Sequence, residues 1–113
     1  MAQGVKYLHD NKIAHRNLKP ESILVAECKN TQNGAVDLIF KISGLSRLRD
    51  ASLNNIQSIG VSTLPYMSPE VIKNDMQREI LQDNLLAQDI WSLGILLHIF
   101  FYQVHPFGFD ERK

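Results

Sequence analysis

The sequence predicts a mainly α-helical domain that carries one small β-hairpin. Three observations support this fold class: apolar residues at helical spacing near the N-terminus, two β-rich runs on either side of Asn33-Gly34, and a long apolar run over 85–102. A length of 113 residues is enough for one small domain and too short for two. We therefore expect all of these elements to belong to one fold.

The N-terminal segment is predicted to form a helix. Met1, Val5 and Leu8 recur at spacings of four and three residues, which places them on one face of a helix over 1–12. This helix is therefore expected to bury one stripe. The segment lacks a basic stretch followed by an apolar one, so it does not resemble a signal peptide.

A β-hairpin is predicted next. The runs SILVAE at 22–27 and VDLIFKI at 36–42 are rich in β-branched and apolar residues. Between them, KNTQNG is turn material, and Asn33-Gly34 is the strongest hairpin signal in the sequence. The two runs are therefore expected to pair as antiparallel strands.

The middle of the chain is predicted to be a long loop. From Ser43 to Ser62 the sequence is mostly polar and has no sustained period, and loops of this length in compact domains are usually functional or mobile. A short helix is expected over 68–75, with Pro69 at a tolerated N-terminal position. Residues 76–84 are expected to form a polar helical or looped insert.

The most apolar run, Ile90–Tyr102, belongs to a predicted helix over 85–102. The run itself is too short to span a bilayer. A helix that is apolar nearly all round is typical of the buried core of a larger domain. His98 within it is expected to be a core histidine whose hydrogen bonds are satisfied.

Composition excludes several classes of function. Twelve basic residues balance 12 acidic ones, and without a basic block nothing points to nucleic acid or to an anionic membrane surface. Cys28 is the one cysteine, so a disulfide framework and a cysteine metal cluster are both excluded, which favours a reducing compartment. His9, His98 and His105 show no metal-ligand spacing.

Four motifs follow one another along the chain. They are HRNLKPES at 15–22, KISGLSR at 41–47, STLPYMSPEVI at 62–72 and DIWSLGILL at 89–97. In this order they resemble the C-terminal lobe of a eukaryotic protein kinase, over essentially all 113 residues. The Lys-Pro of the first motif, with Thr63 in the third, is similar to the serine/threonine branch.

The resemblance implies a partial kinase-like domain over 1–113, from the catalytic-loop helix through the long central helix. An activation-segment-like loop is implied over 42–70. The Gly-rich phosphate loop, the ATP-positioning lysine and its glutamate partner belong to the family's N-terminal lobe, and further helices follow the family's counterpart of HPFG. We expect those parts to lie outside this chain.

Three positions that carry chemistry in the family hold other residues here. Asn17 stands where the catalytic aspartate is expected, and an amide cannot take a proton near neutral pH, a loss of roughly 10²–10⁴-fold in rate. Ser22 stands at the metal-binding asparagine and would need a bridging water. Ile42 stands at the metal-binding aspartate and cannot coordinate a hard cation. The nearest acid is Asp37, expected on the strand.

Other residues keep their family counterparts. Lys19 corresponds to a γ-phosphate contact, with a surface lysine as the alternative. Ile23, Leu24 and Val25 correspond to the floor under the adenine ring, with core packing as the alternative. The resemblance implies structural roles for the following six residues: His15, Arg16, Gly44, Thr63, Glu70 and Asp89. His15 and Asp89 are expected to anchor one another, with Asp89 capping backbone amides of the loop.

The sequence allows two hypotheses for the role of Arg16. In the family this position binds a phosphate on the activation segment, and a phosphate adds about −1.5 to −2 charge. Alternatively its guanidinium is hydrogen-bonded to nearby backbone. The phosphate acceptors that the loop offers are Ser46, Ser52, Ser58, Ser62 and Thr63.

Three functional hypotheses follow from the resemblance. The favoured one is a pseudokinase, inactive or very weak as an enzyme, that acts as a scaffold or allosteric module for a protein partner. The second is a diverged serine/threonine kinase that binds ATP and phosphorylates proteins weakly, and the third is a fragment without independent function. ATP and magnesium are implied by the family alone. The expected location is cytoplasmic or cytosol-facing, with no membrane segment and no nucleic-acid partner.

Overall fold

The computed structural model describes residues 1–30, 32–50, 61–77 and 83–109. Within these ranges the chain forms helices and short strands joined by loops and 3₁₀ turns. The helices are α1 (Ala2–Asp10), α2 (Pro69–Gln77) and α3 (Asp83–Tyr102). The strands are β1 (Ile13–Ala14), β2 (Ile23–Lys29), β3 (Val36–Ile42) and β4 (Arg49–Asp50). The 3₁₀ turns are Pro20–Ser22, Leu45–Arg47 and Val61–Tyr66.

Helix α1 confirms the predicted N-terminal helix. Val5 is fully buried, while Met1 and Leu8 are half-buried on the same face. The helix ends at Asp10, and Lys12 beyond it takes a positive φ of 59°, which no continuing helix allows. The predicted stripe is therefore the face that α1 turns towards the core.

Strands β2 and β3 form the predicted antiparallel hairpin. Their register runs from Ile23 opposite Ile42 to Lys29 opposite Val36. The connection over 30–35 is longer than a two-residue turn, and Gly34 alone within its described part takes a positive φ, of 68°. Glycine adopts that conformation without the steric penalty that a side chain brings.

The core lies where α1, the loop after β1 and α3 meet. Val5, Leu18 and Leu96 are buried together, and Ile23, Ile42 and Leu93 pack against them. The base of the hairpin is thus tied to the core. The side chains further along the hairpin are not, since Val25 is 58% exposed and Leu38 is 56% exposed.

The first part of the predicted loop contains a strand that the sequence did not indicate. Arg49 pairs with Ala14 and Asp50 pairs with Ile13, so β4 and β1 form a second two-stranded sheet. Two-residue strands have no detectable period, which is why the polar sequence suggested a loop throughout. The part of that loop over 51–60, with Ser52 and Ser58, lies outside the described residues.

Helix α2 confirms the predicted helix after the loop. It begins at Pro69, and Val71 is fully buried. Proline is tolerated there because the first N–H groups of a helix have no intrahelical acceptor. The predicted insert is helical at its two ends, in α2 and α3, and its part over 78–82 lies outside the described residues.

Helix α3 is longer than the apolar run within it. Its stretch Leu85–Tyr102 is long and apolar enough to cross a membrane, by length and composition alone, and 39% of it is buried in the fold. It is the one such helix among the described residues. Gln88, Asp89 and Ser92 are buried polar residues on this helix, which is typical of a core helix that binds loops.

The expectation for His98 was wrong. His98 is half-buried rather than in the core, and its Nδ1 donates a hydrogen bond to the Val104 carbonyl at 3.1 Å. The apolar pattern around it suggested burial, but this end of α3 is exposed: Phe101 is 72% and Tyr102 69% accessible. Periodicity cannot show where the cover of a helix ends.

Leu18 tests the position of the core. Leu18→Ala is expected to lower the free energy of unfolding by about 2–5 kcal/mol, because it leaves a cavity between α1 and α3. Leu38→Ala is the matched control, since this leucine is 56% exposed, and we expect a change within about 0.5 kcal/mol. Equilibrium urea unfolding measures both, and equal losses would contradict the assigned core.

Candidate functional site

The carboxylate of Asp89 lies at the centre of the loop that follows β1. Its Oδ2 accepts the backbone N–H of His15 at 2.7 Å, and its Oδ1 accepts that of Arg16 at 2.8 Å. His9 of α1 donates from Nε2 to Oδ2 at 2.9 Å. A single buried side chain of α3 therefore joins α1 and the loop.

These hydrogen bonds offset two unfavourable features, the burial of the Asp89 carboxylate and the left-handed backbone at Arg16. Asp89 is fully buried, and an ionised carboxylate away from water needs several donors. Arg16 takes φ 68°, a left-handed conformation that costs a non-glycine residue roughly 1–2 kcal/mol. Because successive N–H groups converge on the carboxylate, the anion and the strained backbone stabilise one another.

His15 connects the loop to the end of the hairpin. It is fully buried, and its Nε2 donates to the Ser43 carbonyl at 2.7 Å. Its Nδ1 accepts the backbone N–H of Asn17 at 3.3 Å. One proton on Nε2 and a lone pair on Nδ1 satisfy both contacts, so the ring positions Asn17 relative to the chain after β3.

Asn17 is half-buried in this loop. Its Oδ1 is buried and has no hydrogen-bond partner among the described residues. The oxygen is thus an acceptor that the loop itself leaves unused. An amide oxygen can orient a donor, but it cannot act as a general base near neutral pH.

The hydroxyl of Ser22 is engaged by its own loop. Ser22 is 3% exposed; its Oγ donates to the Lys19 carbonyl at 2.7 Å and accepts the Lys19 N–H at 2.9 Å. The Ser22 carbonyl accepts the N–H of Ser43 at 2.7 Å. The expected role of Ser22 as a magnesium ligand through water is not supported, because its side chain closes the turn that leads into β2.

Ile42 points into the core rather than towards the loop. It is half-buried and packs on the cluster of Val5, Leu18 and Leu96. Its Cδ1 would lie only 2.8 Å from a Cβ placed on Gly4 of α1. The Ile42 side chain therefore fills the space between β3 and α1.

No nearby acid replaces the missing carboxylate. The sequence contains no acidic residue between Asp37 and Asp50. Asp37 is exposed and lies opposite Cys28 on the hairpin, five residues before Ile42 at the base of β3. Among the described residues there is no group of three His, Cys, Asp or Glu side chains that could hold a metal ion.

The three residues predicted as an adenine floor do not share one surface. Side chains alternate along β2, so Leu24 faces the opposite side from Ile23 and Val25. Ile23 packs against the core cluster, while Leu24 is 54% exposed. The adenine floor stays a prediction, and of the three residues Leu24 alone lies on its side of the hairpin.

The end of the activation-segment-like loop is held by a network that sequence reasoning missed. Gln88 accepts the N–H of Ser68 at 2.7 Å and donates to the Tyr66 carbonyl at 3.0 Å. Gln88 also donates to Ser92 Oγ at 2.8 Å, and Ser92 in turn donates to the Tyr66 carbonyl at 2.7 Å. The available signal was the position of Gln88 and Ser92 among the apolar residues of the helix.

A histidine holds the same segment from the other side. His105 donates from Nε2 to the Pro65 carbonyl at 2.8 Å, and its Nδ1 accepts the Phe107 N–H at 3.1 Å. Its ring meets that of Tyr66 edge to face, with centroids 5.9 Å apart. The HPFG loop and α3 thus hold residues 65–68 between them.

The remaining predicted residues lie around this frame. Gly44 takes φ 74° directly after Ser43, and Thr63 lies in the 3₁₀ turn Val61–Tyr66. Lys19 is half-buried, and its side chain forms no ion pair with the described residues. Glu70 is exposed at a cleft of about 470 Å³ that is also lined by Trp91. Gly44 lies close to the turn that contains Lys19, since a Cβ placed on Gly44 would lie 3.5 Å from the Cβ of Ser22.

Comparison with known proteins identifies relatives for the whole chain. A model of the protein kinase domain matches residues 1–113. The subunit alpha of the inhibitor of nuclear factor kappa-B kinase from Xenopus laevis is 30% identical over 99% of this chain and 14% of its own length. The probable serine/threonine-protein kinase fhkC of Dictyostelium discoideum is 36% identical over 100% of the chain and 17% of its own length.

A third relative has the same character. The striated muscle preferentially expressed protein kinase of Danio rerio is 35% identical over 93% of this chain and 3% of its own length. The chain therefore spans less than a fifth of the length of the curated relatives it matches. The fold and the motif order of the catalytic-loop region agree with these matches.

Asp89 is the residue whose removal tests the centre of the site. Asp89→Ala is expected to lower the free energy of unfolding by about 3–5 kcal/mol, because buried donors on His9, His15 and Arg16 lose their acceptor. Asp10→Ala is the control: its pair with Lys6 is solvent-exposed, so we expect a change within about 1 kcal/mol. Urea unfolding measures both variants. A loss of similar size in the two would mean that the Asp89 contacts do not hold the loop.

Proposed function

Because this chain belongs to the protein kinase domain family, we propose that it is a kinase-shaped C-lobe without efficient phosphoryl transfer, acting as a pseudokinase scaffold or allosteric module for a protein partner. One observation carries this proposal: the position expected to anchor the metal holds Ile42, which packs on the hydrophobic core. Asn17 at the base position adds to it. The proposed location is cytosol-facing.

Phosphoryl transfer depends on positioning and charge neutralisation more than on covalent chemistry. Loss of general-base assistance at Asn17 lowers the rate by roughly 10²–10⁴-fold. Loss of a metal clamp removes several kcal/mol of transition-state stabilisation. The residues present do not fit magnesium, since Ile42 has no oxygen ligand and the Ser22 hydroxyl is bonded to Lys19.

The parts that shape a protein-binding surface are retained. Asp89 holds the loop backbone, and Gln88, Ser92 and His105 hold residues 65–68. None of these contacts requires ATP. Tyr66, Met67 and Ser68 are themselves buried, so the proposed function uses the exposed residues that flank them, Leu64, Pro69 and Glu70, as a surface that is independent of catalysis.

A weakly active serine/threonine kinase is the second candidate function. Two features favour it: the Asn17 oxygen is an unused acceptor, and Leu24 exposes an apolar side chain beside the loop. Such an enzyme would still bind ATP with its magnesium ion and phosphorylate proteins slowly. The two candidates differ in whether nucleotide binds at all.

The full-length protein is expected to show no stabilisation by magnesium ATP. A ligand present at 100 times its Kd stabilises the native state by about 2.7 kcal/mol, which a thermal-shift assay detects as a raised Tm. Asn17→Asp is expected to leave both Tm in ATP and phosphoryl transfer unchanged, because position 42 still lacks a ligand. A magnesium-dependent rise in Tm would favour the weakly active kinase, and an active kinase known to bind ATP serves as the positive control.

A fragment without independent function is the third possibility, and it has its own test. Ile90, Phe100 and Phe101 of α3 are exposed by 56%, 53% and 72%. Residues 1–113 expressed alone are then expected to bind a hydrophobic dye and to lose tertiary structure without a cooperative transition. A sharp cooperative melt of the isolated chain would exclude this possibility.

A further inference from the structure

The outer edge of β3 carries backbone hydrogen-bonding groups that no other described strand uses. The hairpin contains β2 and β3 alone, and among the described residues no other strand pairs with β3. Hydrogen bonds from Asn30 to the Ala35 carbonyl and from Ser43 to the Ser22 carbonyl fix which residues bond inwards. Peptide groups that face the partner strand and peptide groups that face away alternate along an antiparallel strand. The peptide groups of residues 37, 39 and 41 therefore hydrogen-bond to β2, and those of Val36, Leu38 and Phe40 face the outer edge.

The sequence of β3 places apolar residues, and beyond them two opposite charges, at equal distances on either side of Ile39. Two residues before it lies Asp37 and two residues after it lies Lys41, both exposed. Leu38 and Phe40 flank Ile39 directly, and all three are apolar. A strand with this pattern is complementary to a second copy of itself that runs antiparallel.

We propose that β3 pairs with β3 of a second copy of this chain, with Ile39 of each copy on the two-fold axis. In that register Asp37 faces Lys41 of the other copy, twice, and Leu38 faces Phe40. The outward peptide groups of Leu38 and Phe40 then meet as hydrogen-bonded pairs. The two hairpins form one four-stranded antiparallel sheet.

Within one chain, Asp37 and Lys41 do not pair with each other. Asp37 and Lys41 are four residues apart on a strand, about 13 Å, so their side chains cannot pair with each other. No ion pair involving either residue occurs among the described residues. Directly opposite charges across an antiparallel pair attract, while like charges repel.

A cleft beside β3 suits the apolar part of the second copy. It has a volume of about 340 Å³ and is lined by α1 and by residues 40–42. In the proposed register, Val36 and Leu38 of the second copy lie opposite Ile42 and Phe40. Val36 is 52% and Leu38 56% exposed in the single chain, so the pairing removes apolar surface from water.

Isolated charges on an edge strand also serve the opposite purpose, since they discourage pairing with other strands. That role requires no particular register and no symmetry. Changing the charges at positions 37 and 41 distinguishes the two roles. Symmetric pairing needs opposite charges at the two positions, whereas a charge that only blocks pairing can have either sign.

Charge reversal in the full-length protein is the first test. Asp37→Lys or Lys41→Asp alone is expected to weaken self-association at least about tenfold, since each places like charges opposite one another in both pairs. The double reversal is expected to return the Kd to within about threefold of the original. Sedimentation equilibrium measures the Kd, and circular dichroism checks that each variant is folded.

Two outcomes would overturn the pairing. One is a folded full-length protein that remains monomeric at every concentration tested. The other is a double reversal as weak as the single ones, which would indicate a different protein partner or a different register. Single reversals without any effect would assign the two charges to edge protection.

Cross-linking is the second, independent test, because oxidation can trap even a weak dimer covalently. In a Cys28→Ser background, Ile39→Cys places two thiols on the axis with Cα atoms about 4.5 Å apart, within reach of a disulfide. Val25→Cys is the control: it is 58% exposed but lies on β2, at least about 14 Å from its counterpart. Diamide is expected to produce a covalent dimer from Ile39→Cys alone, and equal yields from both variants would overturn the register.

Discussion

The loop conformation depends on the buried carboxylate of Asp89. It accepts hydrogen bonds from His15 and Arg16 of the loop and from His9 of α1, so one side chain of α3 fixes two elements that precede it by more than seventy residues. The left-handed backbone at Arg16 persists because both N–H groups are held there. His15, positioned in this way, reaches the Ser43 carbonyl and joins the loop to the hairpin. The arrangement of the site thus follows from one desolvated charge and its donors.

Structural and chemical roles are separated in this kinase-like chain. The residues that hold backbone in place, His15, Asp89 and Gly44, match the family pattern, and Gln88 and Ser92 extend the same function to residues 65–68. The residues at the two proposed metal positions take part in local structure instead. Ser22 closes the turn before β2, and Ile42 fills the core. The frame of the site is therefore held by residues other than those at the positions proposed for chemistry.

Long, strongly patterned elements could be predicted from the sequence. The stripe of Val5 and Leu8, the runs around Asn33-Gly34 and the apolar run of α3 each specify local structure by periodicity or turn chemistry. The pairing of short segments that are distant in sequence could not be predicted, as the sheet of β1 and β4 shows. The Gln88 network and the partial burial of His98 were also not predicted, because both depend on which residues meet in three dimensions. The order of the motifs located the site in the sequence. The orientations of the Ser22, Ile23 and Ile42 side chains could be determined only from the three-dimensional structure.

The position of Ile42 has an evolutionary consequence. A carboxylate introduced there would enter the apolar contact between β3 and α1, where an uncompensated charge costs several kcal/mol. The cost falls on stability at once, whereas any gain in metal binding would also require a changed Asn17 and a released Ser22. Single substitutions could therefore build a metal site at position 42 only through less stable variants. Packing between β3 and α1 thus opposes a stepwise gain of metal binding in this chain.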